Sequence, residues 1–387
     1  TIPSLSVGFG SMLVALTQNV SVLHFDRCTM CMVSRLGFGH RSASRCSGSA
    51  ATAAGRRGRR YGRGAPPAFS ATVSLPCGLD EEASLPAEVP TSGHAIDVSG
   101  AFQLVISQVW IHRSWVAIRL RDFANTVTIL DSQINDVFGP AAIASGGLPA
   151  GNRVDLLMAS RITMNQNDPA ANATVVWIDI AAGTNSVRLD NVGLINGGVG
   201  VRMDAPTDSP PGVSPGRPLF LMANDLEIDF PVLDAIQLTR GEEVQLSNCY
   251  VQGSKTGNGI AIASTWNSEV QVVNSRIFGH NRSGILIGGG AHTLISNNII
   301  GDNSLGGEGL YSGVLVLAGV SDFVLSANHV GAVFRGQQTS GHKAGVEVQA
   351  GGSDRYVVTA NTLTGNGQCL LDGGAGAHKT VSGNVCA

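Results

Sequence analysis

The chain has little of what most globular enzymes use to fill and cover a core. Aromatic residues make up 5% of its 387 residues and charged residues 14%, which leaves neither a broad aromatic interior nor a dense ion-pair surface. No uninterrupted apolar run reaches the roughly 18 residues of a membrane-spanning helix, so no membrane span is expected. Cysteine is sparse and odd in number, seven in all, and five stand singly at Cys46, Cys77, Cys249, Cys369 and Cys386. Cys249 and Cys369 fall where aliphatic or turn residues recur and read as small buried hydrophobes. Positive charge is scarce over most of the chain: residues 91–387 carry 16 basic and 23 acidic side chains, net −7, against +4 for residues 1–90. An acidic body of this kind is a poor nonspecific binder of nucleic acid. Glycine, by contrast, is abundant, at 50 residues, which with many aliphatics suits a narrow body with many turns.

What the sequence does contain is a phrase repeated three times between 236 and 300. IQLTRGEEVQLSNCYVQGSKTGNG is followed by IAIASTWNSEVQVVNSRIFGHNRSG and then by ILIGGGAHTLISNNIIG. Each copy has an aliphatic alternation (Ile236/Leu238, Ile260/Ile262, Ile285/Ile287), a polar turn, a second alternation, an Asn and a further aliphatic. Period-two alternation marks half-buried strand, and recurrence at a fixed period marks a solenoid. The Asn slot can be followed through Asn191, Asn224, Asn248, Asn274, Asn297 or Asn298, Asn328, Asn361 and Asn384. Before it the frame persists with Gln108, Asp131 and Ala159 in that place. The fold predicted is all-β, a single-stranded parallel β-helix of about eleven coils spanning residues 91–387.

The energetics of such a column favour stacking. Each coil turns inward about six aliphatic side chains, worth on the order of 1.5–3 kcal/mol apiece when buried. Ordering its roughly 23 residues costs at least about 1 kcal/mol each. A lone coil gains nothing; neighbours that share each inward layer stabilise one another. An Asn at a bend bonds to the coils above and below and tolerates left-handed backbone angles, so the recurrent Asn is structural.

Residues 1–90 do not follow this frame. Cys28 and Cys31 form a CxxC without the converging partners of a zinc site, so no metal is expected there. GRRGRRYGRG, 55–64, packs five Arg into ten residues and reads as a disordered linker or attachment arm. Insertions interrupt the column at 139–152, 165–173, 204–218, 301–313 and 332–345, and in solenoids such loops cluster on one face, often the working face.

The coil rhythm, the strands of the type NTLTGN at 361 and the passage from NDLEIDFP to NCYVQGS resemble the right-handed parallel β-helix (pectin-lyase-like) superfamily. Within it they resemble phage tailspikes and polysaccharide depolymerases. The resemblance covers about three quarters of the chain. It implies a right-handed column, a polysaccharide partner, a homotrimer and an extracellular or virion-associated setting. It does not fix an activity, because the superfamily holds hydrolases, lyases, epimerases and noncatalytic proteins.

The strongest candidate for chemistry is NDLEIDFP, 224–231. With Leu226, Ile228 and Phe230 inward, Asp225, Glu227 and Asp229 all face outward on one strand. Alternate strand residues are about 6.6 Å apart, inside the spacing of paired carboxylates in glycoside hydrolysis. Crowding should raise at least one of their pKa values, as a general acid requires. Asp204, at the head of the 204–218 loop, is a further catalytic candidate. Stacking predicts an outward column of Asp97, Arg119, Asp179, Arg202, Gln237, Ala261, Leu286, Leu315 and Glu347. Asp179 and Arg202 are read as a ladder pair, and Asp179, Arg202 and Gln237 as substrate-facing. Ala261, Leu286 and Leu315 are expected near a trimer interface. Trp177, Trp266 and Tyr250 are the aromatics available to stack on sugar rings. His280, His292, His329 and His342 read as surface or ladder residues. Hydrolysis of a bacterial surface polysaccharide is the first expectation, with no cofactor; a noncatalytic spacer or adhesin is the second. The third is a secreted uronate lyase or epimerase, for which VVWIDI, 175–180, resembles the vWiDH motif of pectate lyases with Ile180 in place of the His. Only this third reading implies calcium.

Overall fold

The computed structural model describes residues 92–147, 153–168, 171–207, 216–266, 268–332 and 341–386, and the backbone of five short strands between 9 and 74. Every strand pairing is parallel and joins one coil to the next, in two sheets. The twelve-stranded sheet takes one strand from each coil: His94–Ser99, Val116–Arg121, Ala141–Ser145, Val176–Ile180, Val199–Met203, Ile236–Leu238, Ile260–Ile262, Ile285–Ile287, Val314–Val316, Ala344–Gly351 and Gln368–Gly374, preceded by Leu23–Asp26. The second sheet takes the rest of each coil as a bent strand or two short ones, such as Val244–Ser247 and Tyr250–Gln252. The eleven coils from 94 onward are the parallel β-helix expected.

The alternation read in the repeats is what fills the centre. Ile236, Ile260, Ile285, Val314 and Val346 stack in register, one per coil, and each is at most 1% exposed. Isolated coils could not bury these side chains; the neighbouring layer covers them.

The recurrent Asn proves to be two adjacent slots with different work. The first is the bend itself, in left-handed backbone: Asp131, Arg161, Asn191, Asp225, Asn248, Asn274, Asn297, Ala327 and Ala360 follow one another there with φ between 49° and 57°. Asn tolerates that region better than most residues, which explains its frequency. The second, one residue on, points inward and carries the ladder. Asn298, Asn328 and Asn361 accept from the backbone N–H of the residue one coil earlier, and Asn384 accepts from that of Asn361, at 2.9–3.0 Å. Each of the four also donates its Nδ2 to a backbone carbonyl, of Val272, Ile295, Leu325 and Val358. Toward the N-terminus the slot changes to Ser275 and Cys249, with Ser275 Oγ accepting from the Cys249 N–H at 3.0 Å.

Two features differ from expectation. Strands Leu23–Asp26, Thr29–Ser34 and Gly37–Phe38 pair with the 94–114 coil, so part of the segment set apart at 1–90 adds to the column. Its Arg-rich stretch at 55–64 and Cys28 lie outside the described residues. Cys369 is not a lone hydrophobe: it is disulfide-bonded to Cys386 with 5.5 Å between Cα atoms, 17 residues on. Single cysteines 17 apart gave no hint of pairing because solenoid geometry, not sequence proximity, brings the two ends of one coil together. Cys249 is buried and free, its thiol pushed up to about 11 by burial. A loop of this size closed by a disulfide is worth about 3 kcal/mol. The Cys369→Ala/Cys386→Ala variant should therefore lower the urea midpoint of the column, and an unchanged midpoint would show that the last coil unfolds separately.

Candidate functional site

Strand Phe220–Asp229 lies between strand Ser186–Ile195 of the preceding coil and the Val244–Ser247 and Tyr250–Gln252 strands of the next. Its alternation sends Leu221, Ala223, Leu226 and Ile228 inward, none more than 2% exposed. The three acids do not share one face. Asp225 occupies the bend at φ 51°, and its carboxylate accepts from Asn224 Nδ2 at 2.9 Å. Beyond the bend Glu227 faces out and Asp229 is half-buried. Phe230, expected inward, faces out at 47% exposure, because the strand ends at Asp229 and Phe230 takes a left-handed turn, φ 53°.

Glu227 and Asp229 are the electrostatic centre of this face. The Glu227 carboxyl is raised above its ordinary value, first by burial, then by the charge of Asp229 and a hydrogen bond with it. Asp229 Oδ1 is buried and meets no fixed N–H donor. The direction is the one expected of two neighbouring carboxyls, where the charge of one favours the protonated form of the other. Tyr250 follows Glu227 in register in the next coil. Its hydroxyl is raised by burial and by the charges of Asp229 and Glu227, against an opposing effect of Arg276; it stays a hydrogen-bond donor at neutral pH. On the other side Glu227 faces Gly193, where a Cβ would meet no atom within 4 Å. The site is thus open toward the preceding coil and walled by Tyr250 on the other.

A hollow of about 300 Å³ lies beside this pair, bounded by Phe230, Gln252, Lys255, Phe278, Asn281 and Leu305. Its floor is the turn at Gly253 and Gly279, both in left-handed backbone. A Cβ on Gly253 would strike the Phe230 ring, so glycine is what lets that ring lie against the turn. Tyr250 and Phe278 meet edge to face with centroids 5.1 Å apart, which links the acid pair to the hollow. Sequence reasoning missed Phe230 as an outward residue, together with Lys255, Arg276 and Phe278. The signal for Arg276 was present: with Ile277 inward, its neighbour must face out, whereas Phe278 on the other side is 8% exposed and packs against the Tyr250 ring.

The remaining candidates fall elsewhere. Trp177 and Trp266 are 1% exposed and cannot stack on a ligand. The Trp177 indole packs on the bare backbone of Gly197, and Trp266 Nε1 donates to the Ser268 carbonyl at 3.1 Å. Asp204 follows the Val199–Met203 strand of the other sheet, faces Arg240 at 3.5 Å and accepts from the Ala205 N–H. Residues 208–215 of the 204–218 loop lie outside the described residues. The outward column is in the predicted register, with Ala144 between Arg119 and Asp179. In it Arg202 donates Nε and Nη2 to both oxygens of Asp179, at 2.9 and 2.8 Å, and the bonds raise the guanidinium further above its ordinary value. Gln237 donates to Asp234 at 3.2 Å. Arg202→Met should lower stability by about 1 kcal/mol, as for a partly exposed ion pair, and leave any activity on the Glu227 face unchanged; loss of activity at full stability would move the chemistry to this column. Of the four histidines, His280 and His342 are buried ladder members, 0% and 1% exposed.

Residues 221–386 match the family model described as "Right handed beta helix region". Two solved structures are similar. The A-module of mannuronan C-5 epimerase AlgE6 from Azotobacter vinelandii is 14% identical, with 76% of this chain and 83% of that one covered, at a TM-score of 0.36. The A-module of mannuronan C-5 epimerase AlgE4 from the same organism is 14% identical, with 75% and 84% covered, at a TM-score of 0.34. No curated protein matches the chain. The parallel pairing coil by coil and the family match over residues 221–386 make the column a right-handed parallel β-helix.

Proposed function

We propose that this protein binds a bacterial surface polysaccharide along the Glu227 face and cleaves it by hydrolysis. The observation that carries the proposal is the Glu227 carboxyl, raised by burial and by Asp229, beside a hollow of sugar-ring size. A general acid must hold its proton at working pH, and this is the arrangement that keeps one. Glu227 gives its proton to the glycosidic oxygen as the bond from that oxygen to the anomeric carbon breaks. Water adds to the carbon and releases a proton to Asp225, the carboxylate across the bend of the same strand. Asp229 keeps the proton on Glu227, and Tyr250 donates a hydrogen bond to the sugar. Hydrolysis is better supported than uronate lysis or epimerisation, because the bonds to Asp179 hold Arg202 protonated and unfit as a base.

The tailspike-like setting, extracellular or on a virion, belongs to the same proposal. The Cys369–Cys386 disulfide suits an oxidising compartment, and the half-buried column of Ala261, Leu286 and Leu315 suits a homotrimer, testable by light scattering. The activity is tested by incubating the protein with capsule, O-antigen and uronate polysaccharides, with and without a calcium chelator, while following reducing ends and ultraviolet absorbance together. New reducing ends without absorbance are expected. Both signals together would make it a lyase, and binding without either would make it an adhesin.

A further inference from the structure

The hollow next to the acid pair has a chemical character of its own. Phe230, 47% exposed, gives it one open aromatic wall, Phe278, 8% exposed, closes it below, and Leu305, 58% exposed, forms an aliphatic rim. The floor is glycine backbone, held by the Phe230, Gly253 and Gly279 N–H groups bonding to the next coil at 3.0–3.2 Å. Such a lining fits the apolar face of a pyranose ring, as aromatic surfaces do. One charged side chain stands on it. Lys255 is exposed and, unlike Lys343 and Lys379, which bond to Glu347 and Asp372, it makes no ion pair with any described residue. Arg276, exposed and likewise without an ion pair among the described residues, adds a second positive charge two residues before Phe278. This is a positive spot on a column whose net charge is −7.

We infer that the hollow is a sugar subsite for a unit bearing an anionic group, carboxylate or sulfate, with its ring on Phe230 and its charge on the Lys255 ammonium. The inference rests on the proposed glycan-binding role of this face and adds the class of sugar. The anion is placed away from Glu227 and Asp229, whose own charge would repel it. Phe230 belongs to the Glu227 coil, Lys255 to the next and Leu305 to the third after it, so at about 4.8 Å per coil the hollow runs along the axis from beside the acid pair. An anionic unit in every repeat of the polymer would then set where the cut falls.

The test measures binding and cleavage separately. Full-length protein is titrated calorimetrically with oligogalacturonate, oligosialate and sulfated oligosaccharides, and with the carboxyl-reduced forms of the first two. At least one anionic probe should bind, and its reduced or unsulfated partner should bind more weakly, by on the order of tenfold, as for one charged hydrogen bond. Lys255→Gln should abolish that preference and its salt dependence while leaving the neutral affinity alone. Phe230→Ala should weaken both forms alike. Carboxylated and sulfated probes identify which anion is taken. Equal binding of anionic and neutral forms, no binding of any anionic probe, or a preference that survives Lys255→Gln would overturn the inference. Cleavage lost in Glu227→Gln with no charge preference would sink this inference alone. A Lys255-dependent preference without cleavage of any polysaccharide would sink the hydrolase and leave the subsite standing.

Discussion

Glu227→Gln is expected to reduce kcat on a cleaved polysaccharide by about 10²- to 10⁴-fold, the usual contribution of a positioned proton donor, with KM little changed. The amide keeps the shape of the side chain and can donate to Asp229, but it has no proton to give to a leaving oxygen. Folding should survive, since Glu227 faces out and the amide replaces the protonated carboxyl with a donor of the same shape; the urea midpoint at neutral pH should hold. The pH profile is the sharper check. A general acid works only while protonated, so kcat/KM should fall as pH rises through the Glu227 pKa, which lies above the ordinary carboxylate value. Asp229→Asn removes the neighbouring charge and leaves an amide that bonds to the ionised form of Glu227. Both effects lower the Glu227 pKa, so the alkaline limb should move to lower pH. An alkaline limb that stays in place in Asp229→Asn, or full activity in Glu227→Gln, would remove this pair from the mechanism.

The column was legible because its cause is local. Period-two aliphatics repeated every 23 or more residues admit few other structures, and the order Arg202, Gln237, Ala261, Leu286, Leu315 could be read off before any coordinates. The site was less so, because it depends on where strands stop. Counting in twos put Asp225, Glu227, Asp229 and Phe230 on a continuous strand, whereas a bend at Asp225 and a left-handed turn at Phe230 break it. The bend parts one acid from the other two, and the turn swings a phenyl ring from the core to the surface. Trp177 and Trp266 failed for a related reason. A Trp beside a turn looks available, yet glycines at 197 and 241 leave bare backbone for the indoles to pack on. Which glycine empties a surface notch, as Gly193 does, and which receives a buried ring depends on contacts between coils that no single repeat records.

Below the acid pair the column carries a second titrating feature, and mild acid should expose it. His280, between Gly279 and Asn281 of the hollow, and His342, in the corresponding turn two coils on, are buried, neutral and bonded at both nitrogens. His280 Nδ1 accepts the Ser254 N–H at 3.0 Å, and Nε2 donates to the Val251 carbonyl at 3.2 Å. His342 has the opposite tautomer, accepting the Asn303 N–H at Nε2 and donating from Nδ1 to Asn366. Burial lowers the two imidazoles to about 3 and about 4, against about 6.5 in an unfolded chain. The unfolded state therefore binds more protons below pH 6.5, and the stability these groups allow at neutral pH is lost as pH falls from there toward the folded values. At pH 5 the loss is about 2 kcal/mol for each, together a large part of the 5–15 kcal/mol typical of a domain. His94, also lowered by burial and by Arg119, acts in the same direction. Carboxylates held low by ion pairs, such as Asp322 beside Arg355, remain ionised at pH 5, and Glu227, raised in the folded protein, acts in the opposite direction, so a net fall between 6.5 and 5 reports histidine. The urea midpoint should drop steeply across it, and His280→Gln, whose amide can both accept from Ser254 and donate to Val251, should flatten the drop by about half, since one of two equivalent terms is gone. An equally steep drop in the variant would mean that His280 takes up its proton without unfolding, and that the turn under the hollow opens to water in the folded protein.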